Sequence, residues 1–128
     1  MSTLIGISTF RKVNALSVLL KSLLDHGYFE GNQILVTDDN AGNRYEVDGH
    51  EYPSAEETVN NFNLDYNTNV MCITGKRRGG VAVNKNRAIK FFLDNQDKFD
   101  DLLLLDDDIV FTAPGLLDLI RSSNGPLS

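Results

Sequence analysis

Carboxylates gather at two points in this 128-residue chain, and at both points they end an apolar run. The stretch "DLLLLDDDIV" (Asp101 to Val110) places Asp106, Asp107 and Asp108 in succession, and "QILVTDD" (Gln33 to Asp39) closes on Asp38 and Asp39. Adjacent like charges repel, and holding them near a low-dielectric interior is costly, so a cation is an obvious stabiliser for the triplet. Hard oxygen donors suit Mg²⁺ or Mn²⁺, and Mg²⁺ commonly takes one or two carboxylates while phosphate and water complete its shell. Asp38 and Asp39 could accept a hydrogen bond from a base N–H or a ribose hydroxyl. A third candidate, "GKRRGG" (Gly75 to Gly80), would set the backbone N–H groups of Gly79 and Gly80 beside cationic side chains at the start of a helix, where a phosphate binds well. Each motif taken alone is also ordinary turn chemistry, since aspartate, asparagine and glycine commonly follow strands.

The elements that must hold these groups alternate between strand and helix. "TLIGIS" (Thr3 to Ser8) reads as a strand, and Val13, Leu16, Leu19, Leu20, Leu23 and Leu24 recur at helical spacing before Gly27. "QILVTDD" lacks polar alternation, as a strand buried on both faces does. Residues 40–69 are the least regular part, and much of this segment reads as loop or a small surface hairpin. Within it, "SAEE" (Ser54 to Glu57) has the capping-box pattern and starts a short helix. "VMCIT" (Val70 to Thr74) is the third main strand. The helix after "GKRRGG" has Val81, Ala88, Ile89, Phe92 and Leu93 available to face a sheet. "DLLLLDDDIVF" is the fourth main strand and its exit, and "APGLLDLIRSS" starts another helix at Pro114. Alternation of this kind predicts βαβ units around a mainly parallel sheet, with helices on both faces and main-strand order 3-2-1-4. In such sheets ligands bind beyond the carboxyl ends of the strands. Ser8 and Thr9, Asp38 and Asp39, Gly75 to Arg78, and Asp106 to Asp108 all fall at such ends.

Composition narrows the classes. The length suits one domain over residues 1–128, and 41% hydrophobic with 23% charged residues is ordinary for a globular chain. No run approaches the roughly 18 apolar residues of a membrane span, and the N-terminus lacks a signal-peptide pattern, so a cytoplasmic location is expected. A net charge of −6 argues against a general nucleic-acid binder. Cys72 is the sole cysteine and reads as a buried structural thiol. His26 suits a helix C-terminus, and His50 lies in a polar loop without ligand-like spacing. The Walker A pattern is absent because Val81 and Ala82 follow Gly80, and no G-x-G-x-x-G follows the first strand.

Taken in order, four segments resemble the donor-binding half of a family 2 glycosyltransferase of the GT-A type, a Rossmann-like fold. They are "LIGISTFRKVNALSVLLKSLLDH", "QILVTDDNAGN", "GGVAVNKNRAIKF" and "DLLLLDDDIVFTAPGLL", the last similar to the strand bearing that family's D-x-D motif. The match is weakest over residues 41–69. The resemblance implies a nucleotide diphosphate sugar, UDP- or GDP-linked, as donor, with Mn²⁺ or Mg²⁺ as cofactor and a glycan, lipid or protein as acceptor. It sets Thr9 and Arg11 near the base, Asp39 on the base and Lys85 towards the diphosphate. Asp106 would contact ribose or sugar and Asp108 would hold the metal, with Asp107 able to replace either. Inverting members carry the general base in a second, acceptor-binding half that this chain is expected to lack, which leaves no candidate catalytic base. An uncovered sheet edge makes self-association a further expectation.

Two readings compete. A phosphoacceptor receiver domain would also have an acidic pair after one strand and an aspartate after another, but about thirty residues precede the pair here, and little chain follows Asp108 for the switch residues. A non-catalytic interaction module would use the same carboxylates only as turn and capping residues. A nucleotidyltransferase is disfavoured because no Gly-rich basic loop follows the first strand.

Overall fold

The computed structural model describes residues 2–108. β1 (Thr3–Thr9), β2 (Gln33–Asp38), β5 (Met71–Thr74) and β6 (Asp101–Asp106) form a parallel sheet in the order β5-β2-β1-β6, the 3-2-1-4 order expected for the main strands. Three helices connect them: α1 (Val13–Asp25), α2 (Ala55–Tyr66) and α3 (Val81–Asp94). The helix expected from Pro114 lies outside the described residues.

Right-handed crossovers explain which helix covers which face. The chain steps β1 to β2 to β5 in one direction, so α1 and α2 share a face, where Leu16, Leu19, Leu20, Leu23, Val59 and Phe62 pack on Ile5, Ile7, Ile34, Val36, Leu103 and Leu105. From β5 it crosses back past β2 and β1 to β6, which puts α3 on the opposite face against Leu4, Leu35, Leu102 and Leu104. Gly6 lets α3 approach closely, because a Cβ there would lie 3.0 Å from the Ala88 Cβ. Of the five residues expected to face the sheet, Val81 and Leu93 are instead exposed, while Asn84 and Ala88 are buried. A polar pair, described below, occupies the sheet-facing turn that apolar spacing alone would fill.

Residues 41–69 are more ordered than their composition suggests. β3 (Tyr45–Val47) and β4 (His50–Tyr52) form an antiparallel hairpin, and α2 runs 12 residues. The capping box at Ser54 is complete: its Oγ accepts from the Glu57 amide, and the Glu57 carboxylate accepts from the Ser54 amide. Hairpin and helix are bound by Arg44, which pairs with both Glu51 and Glu57. The short apolar repeat Val59 and Phe62 is enough to seat α2 once α1 and the sheet provide the other wall.

Candidate functional site at the carboxyl edge

The strand order reverses at β1, and β6 returns to pair on its far side with Ser8 opposite Asp106. A cleft of about 310 Å³ opens there, lined by Thr9, Phe10 and Lys12 after β1, Asp39 after β2, Arg78 and Gly80 before α3, and Asp106, Asp107 and Asp108 after β6. Strand alternation separates the aspartates. Leu103 and Leu105 face α1, so Asp107 follows them to that side, while Asp106 follows Leu102 and Leu104 towards α3. Asp106 is exposed and lies 3.4 Å from the Lys85 ammonium. Asp107 is buried and accepts a 2.9 Å hydrogen bond from the Thr9 hydroxyl. Burial pushes its carboxyl above the usual range, partly offset by the Thr9 hydrogen bond and by Lys12, while Asp108 nearby adds to the rise. Asp108 is exposed.

Lys12 reaches the cleft because α1 begins immediately after it. That helix has no side-chain cap at Lys12. The Tyr45 hydroxyl of the hairpin instead accepts from the Val13 amide at 3.0 Å, satisfying one of the free N–H groups of the first turn. Tyr45 is held by stacking on Tyr52, with centroids 5.1 Å apart. The irregular segment thus positions a cation of the cleft.

The acidic pair after β2 is turned inward. Asp38 closes its own turn, its carboxylate accepting from the amides of Asn40 and Gly42. Asn40 in turn accepts from the Arg11 Nε at 3.0 Å, which fixes Arg11 across the β2 turn with a positive φ of 52°. Asp39 accepts from the amides of Gly79 and Gly80 at 2.8 and 2.9 Å and from Arg87 at 3.1 Å. Burial alone would raise the Asp39 carboxyl, but the two amides and the Arg87 guanidinium outweigh it and hold the group below its ordinary range.

The structure therefore brings Thr9, Asp39, Gly80, Asp106, Asp107 and Asp108 to one cleft, with Lys85 beside Asp106. It sets Asp38 in its own turn, Arg11 on Asn40, and the Gly79 amide on Asp39. Sequence reasoning passed over Phe10, Lys12, Asn84 and Arg87. The Phe10 ring lies 4.1 Å beneath the Arg78 guanidinium carbon. Asn84 donates to the Thr9 and Thr37 carbonyls and accepts from Arg87, tying α3 to the ends of β1 and β2. An asparagine and an arginine three apart inside an otherwise sheet-facing stripe are the signal that could have found the pair.

As donors for a cation, the triplet offers only hard carboxylate oxygens. Among the described residues no three His, Cys, Asp or Glu side chains are grouped to hold a metal. Carboxylate oxygens are the donor type that a magnesium-type ion takes, one or two of them with phosphate and water completing its shell.

No protein-family model matches the chain, and no curated protein matches it. Among solved structures, S. aureus TarS is similar, with a TM-score of 0.65 at 17% identity, over 97% of this chain and 20% of that one. At that identity the likeness is one of fold, and it agrees with the Rossmann-like arrangement of the sheet and helices. The chain spans a fifth of TarS, at 20% of its length. No helix among the described residues is long and apolar enough to cross a membrane.

Proposed function

We propose that this chain is a glycosyltransferase-like domain that binds a nucleotide diphosphate sugar, UDP- or GDP-linked, with Mn²⁺ or Mg²⁺. The observation that carries the reading is the mixed charge of one cleft: Lys12 and Arg78 line it together with three consecutive aspartates at the end of β6. A metal diphosphate has the matching pattern, anionic oxygens for the cations and a bound cation for the carboxylates. The fold likeness to TarS, a glycosyltransferase, supports the same reading.

In this reading Asp106 and Asp108 hold the metal, which when bound would neutralise charge developing on the diphosphate leaving group. Lys12 and Arg78, which line the same cleft, bind the phosphates. Thr9 keeps Asp107 oriented through its hydroxyl, and Lys85 restrains Asp106 until a ligand arrives. The acceptor, whether glycan, lipid or protein, and the base that would activate it belong to parts of a transferase beyond these residues.

The test is a thermal-unfolding titration with UDP, GDP and ADP, each with and without Mn²⁺. Stabilisation by at least one diphosphate, larger with the metal and reduced in Asp106→Asn/Asp108→Asn, is expected. Absence of metal-dependent stabilisation by all three would overturn the proposal.

A further inference from the structure

The family resemblance gives Asp39 to the nucleotide base, and in the structure its carboxylate already accepts three hydrogen bonds from the chain. Oδ1 accepts from the Gly79 amide and from Arg87, and Oδ2 accepts from the Gly80 amide, with the Arg78 guanidinium 3.9 Å away. A carboxylate has about four lone-pair sites, and three of them are taken up within the chain. The residue is only 3% exposed.

Its main partner is equally committed. Arg87 also donates to the Asp38 carbonyl at 3.1 Å, the Asn84 side-chain oxygen at 2.7 Å and the Arg77 carbonyl at 3.2 Å. One guanidinium therefore spans the end of β2, the first turn of α3 and the basic segment between β5 and α3. The glycines of that segment fit this job. A Cβ on Gly75 would overlap the Arg87 guanidinium, and one on Gly79 would run into the Val83 side chain. In "GKRRGG" the small residues make room for Arg87 and α3, which is a packing reason distinct from close approach to a phosphate.

We propose that Asp39 and Arg87 are positioning residues that latch segment 75–80 over the carboxyl edge, holding Arg78 against Phe10 at the cleft. The latch acts through geometry: with both oxygens of Asp39 on the segment, Arg78 stays where it stacks on Phe10 and faces the cleft. Removing Arg87 leaves the buried Asp39 charge short of a partner, and removing the carboxylate releases the Gly79 and Gly80 amides, so the segment is the part free to move away.

The first experiment is amide hydrogen exchange of the ligand-free chain. Asp39→Asn and Arg87→Met should each speed exchange at Gly79 and Gly80 by about ten- to a hundredfold, the effect of losing a charge-assisted hydrogen bond, with β1 and α1 unchanged. Gly75→Ala, which pushes Arg87 aside without touching the carboxylate, should do the same, and it decides the matter if either other variant fails to fold. Unchanged exchange at Gly79 and Gly80 in the folded variants overturns the latch.

The second experiment rests on the nucleotide reading above and compares Mn²⁺-dependent affinities for UDP, GDP and ADP. A latch weakens all three alike in Asp39→Asn and in Gly75→Ala. Unchanged affinities for all three in Gly75→Ala would overturn the hold of the latch on Arg78 at the cleft. Should none of the three bind the unaltered chain, the nucleotide reading falls, and the exchange measurement still judges the latch.

Discussion

On one face of the sheet α1 and α2 bury a continuous set of leucine, isoleucine, valine and phenylalanine side chains; on the other, among the described residues, α3 is the one helix, with only Asn84 and Ala88 of its 14 residues buried. The first face is held by apolar area, to which each buried leucine contributes about 1.5 to 3 kcal/mol. The second is held at its carboxyl end by hydrogen bonds from Asn84 and Arg87 and by the closeness of Ala88 to Gly6. The polar contacts that position α3 therefore adjoin the basic segment, while the mainly apolar face acts as foundation. A site needs defined distances more than it needs area, and charge-assisted hydrogen bonds are directional in a way that apolar burial is not.

The comparison breaks most readily by truncation. Leu20→Ala on the first face should cost about 3 to 5 kcal/mol in urea unfolding, because the side chain is fully buried and its neighbours cannot collapse into the space. Leu104→Ala, partly buried under α3, should cost about 1 to 2 kcal/mol. Equal losses at the two sites would mean that the faces are not built differently.

Overpacking probes the second face more directly. Gly6→Ala places a methyl group 3.0 Å from the Ala88 Cβ and 3.2 Å from a Leu104 methyl, and should cost about 1 to 3 kcal/mol. Leu104 can turn aside but the Cβ of Ala88 cannot, so α3 must shift. The same variant should weaken Mn²⁺-dependent nucleotide binding if α3 sets the cleft, whereas Leu20→Ala should lower stability and leave affinity unchanged in the folded fraction.

Smaller effects come from the edges. Ser54→Ala removes the cap of α2 and should cost about 1 kcal/mol by thermal or urea unfolding, without altering the cleft. Acid should act on the same corner. Hydrogen bonds from Arg44 and the Ser54 amide hold the Glu57 carboxyl down from 4.5 to about 2. A group depressed in the folded state contributes stability above its unfolded value and loses it as the pH falls through the folded one. Urea midpoints should therefore drop between pH 4.5 and about 2, and Glu57→Gln should remove part of that drop. Asp39, also held low, adds an acid-labile contact on the α3 face. Smallest in consequence is Cys72, half-buried where a buried thiol was expected, whose thiol is pushed up to about 12 by burial and by Asp38 and Glu56, so thiol reagents should react with it more slowly in the folded chain than on unfolding.

Much of the fold could be read from residue order. The leucines of α1 at helical spacing, the unbroken apolar runs of β2 and β6, and the S-x-x-E before α2 are local signals, and each formed the element expected of it. The alternation of strand and helix then implied a parallel sheet, because right-handed crossovers leave few other ways to cover its faces. Much less of the site was legible. A small hairpin was one reading of residues 40–69, but its support of α1 through Tyr45 was not legible, since that contact joins residues 32 apart. The triplet Asp106 to Asp108 looked like one acidic feature, yet strand alternation sends Asp106 to Lys85 and Asp107 to Thr9.

The sequence by itself determined where the strands end and that polar groups stand at those ends, because hydrophobic periodicity and turn chemistry act over a few residues. Tertiary structure alone decided which of those groups remain open to a ligand. Asp39 meets Gly79, Gly80 and Arg87 only because α3 crosses back over β2, joining residues some forty positions apart. Whether a carboxylate is free or already satisfied depends on such long-range partners, and no local pattern encodes them.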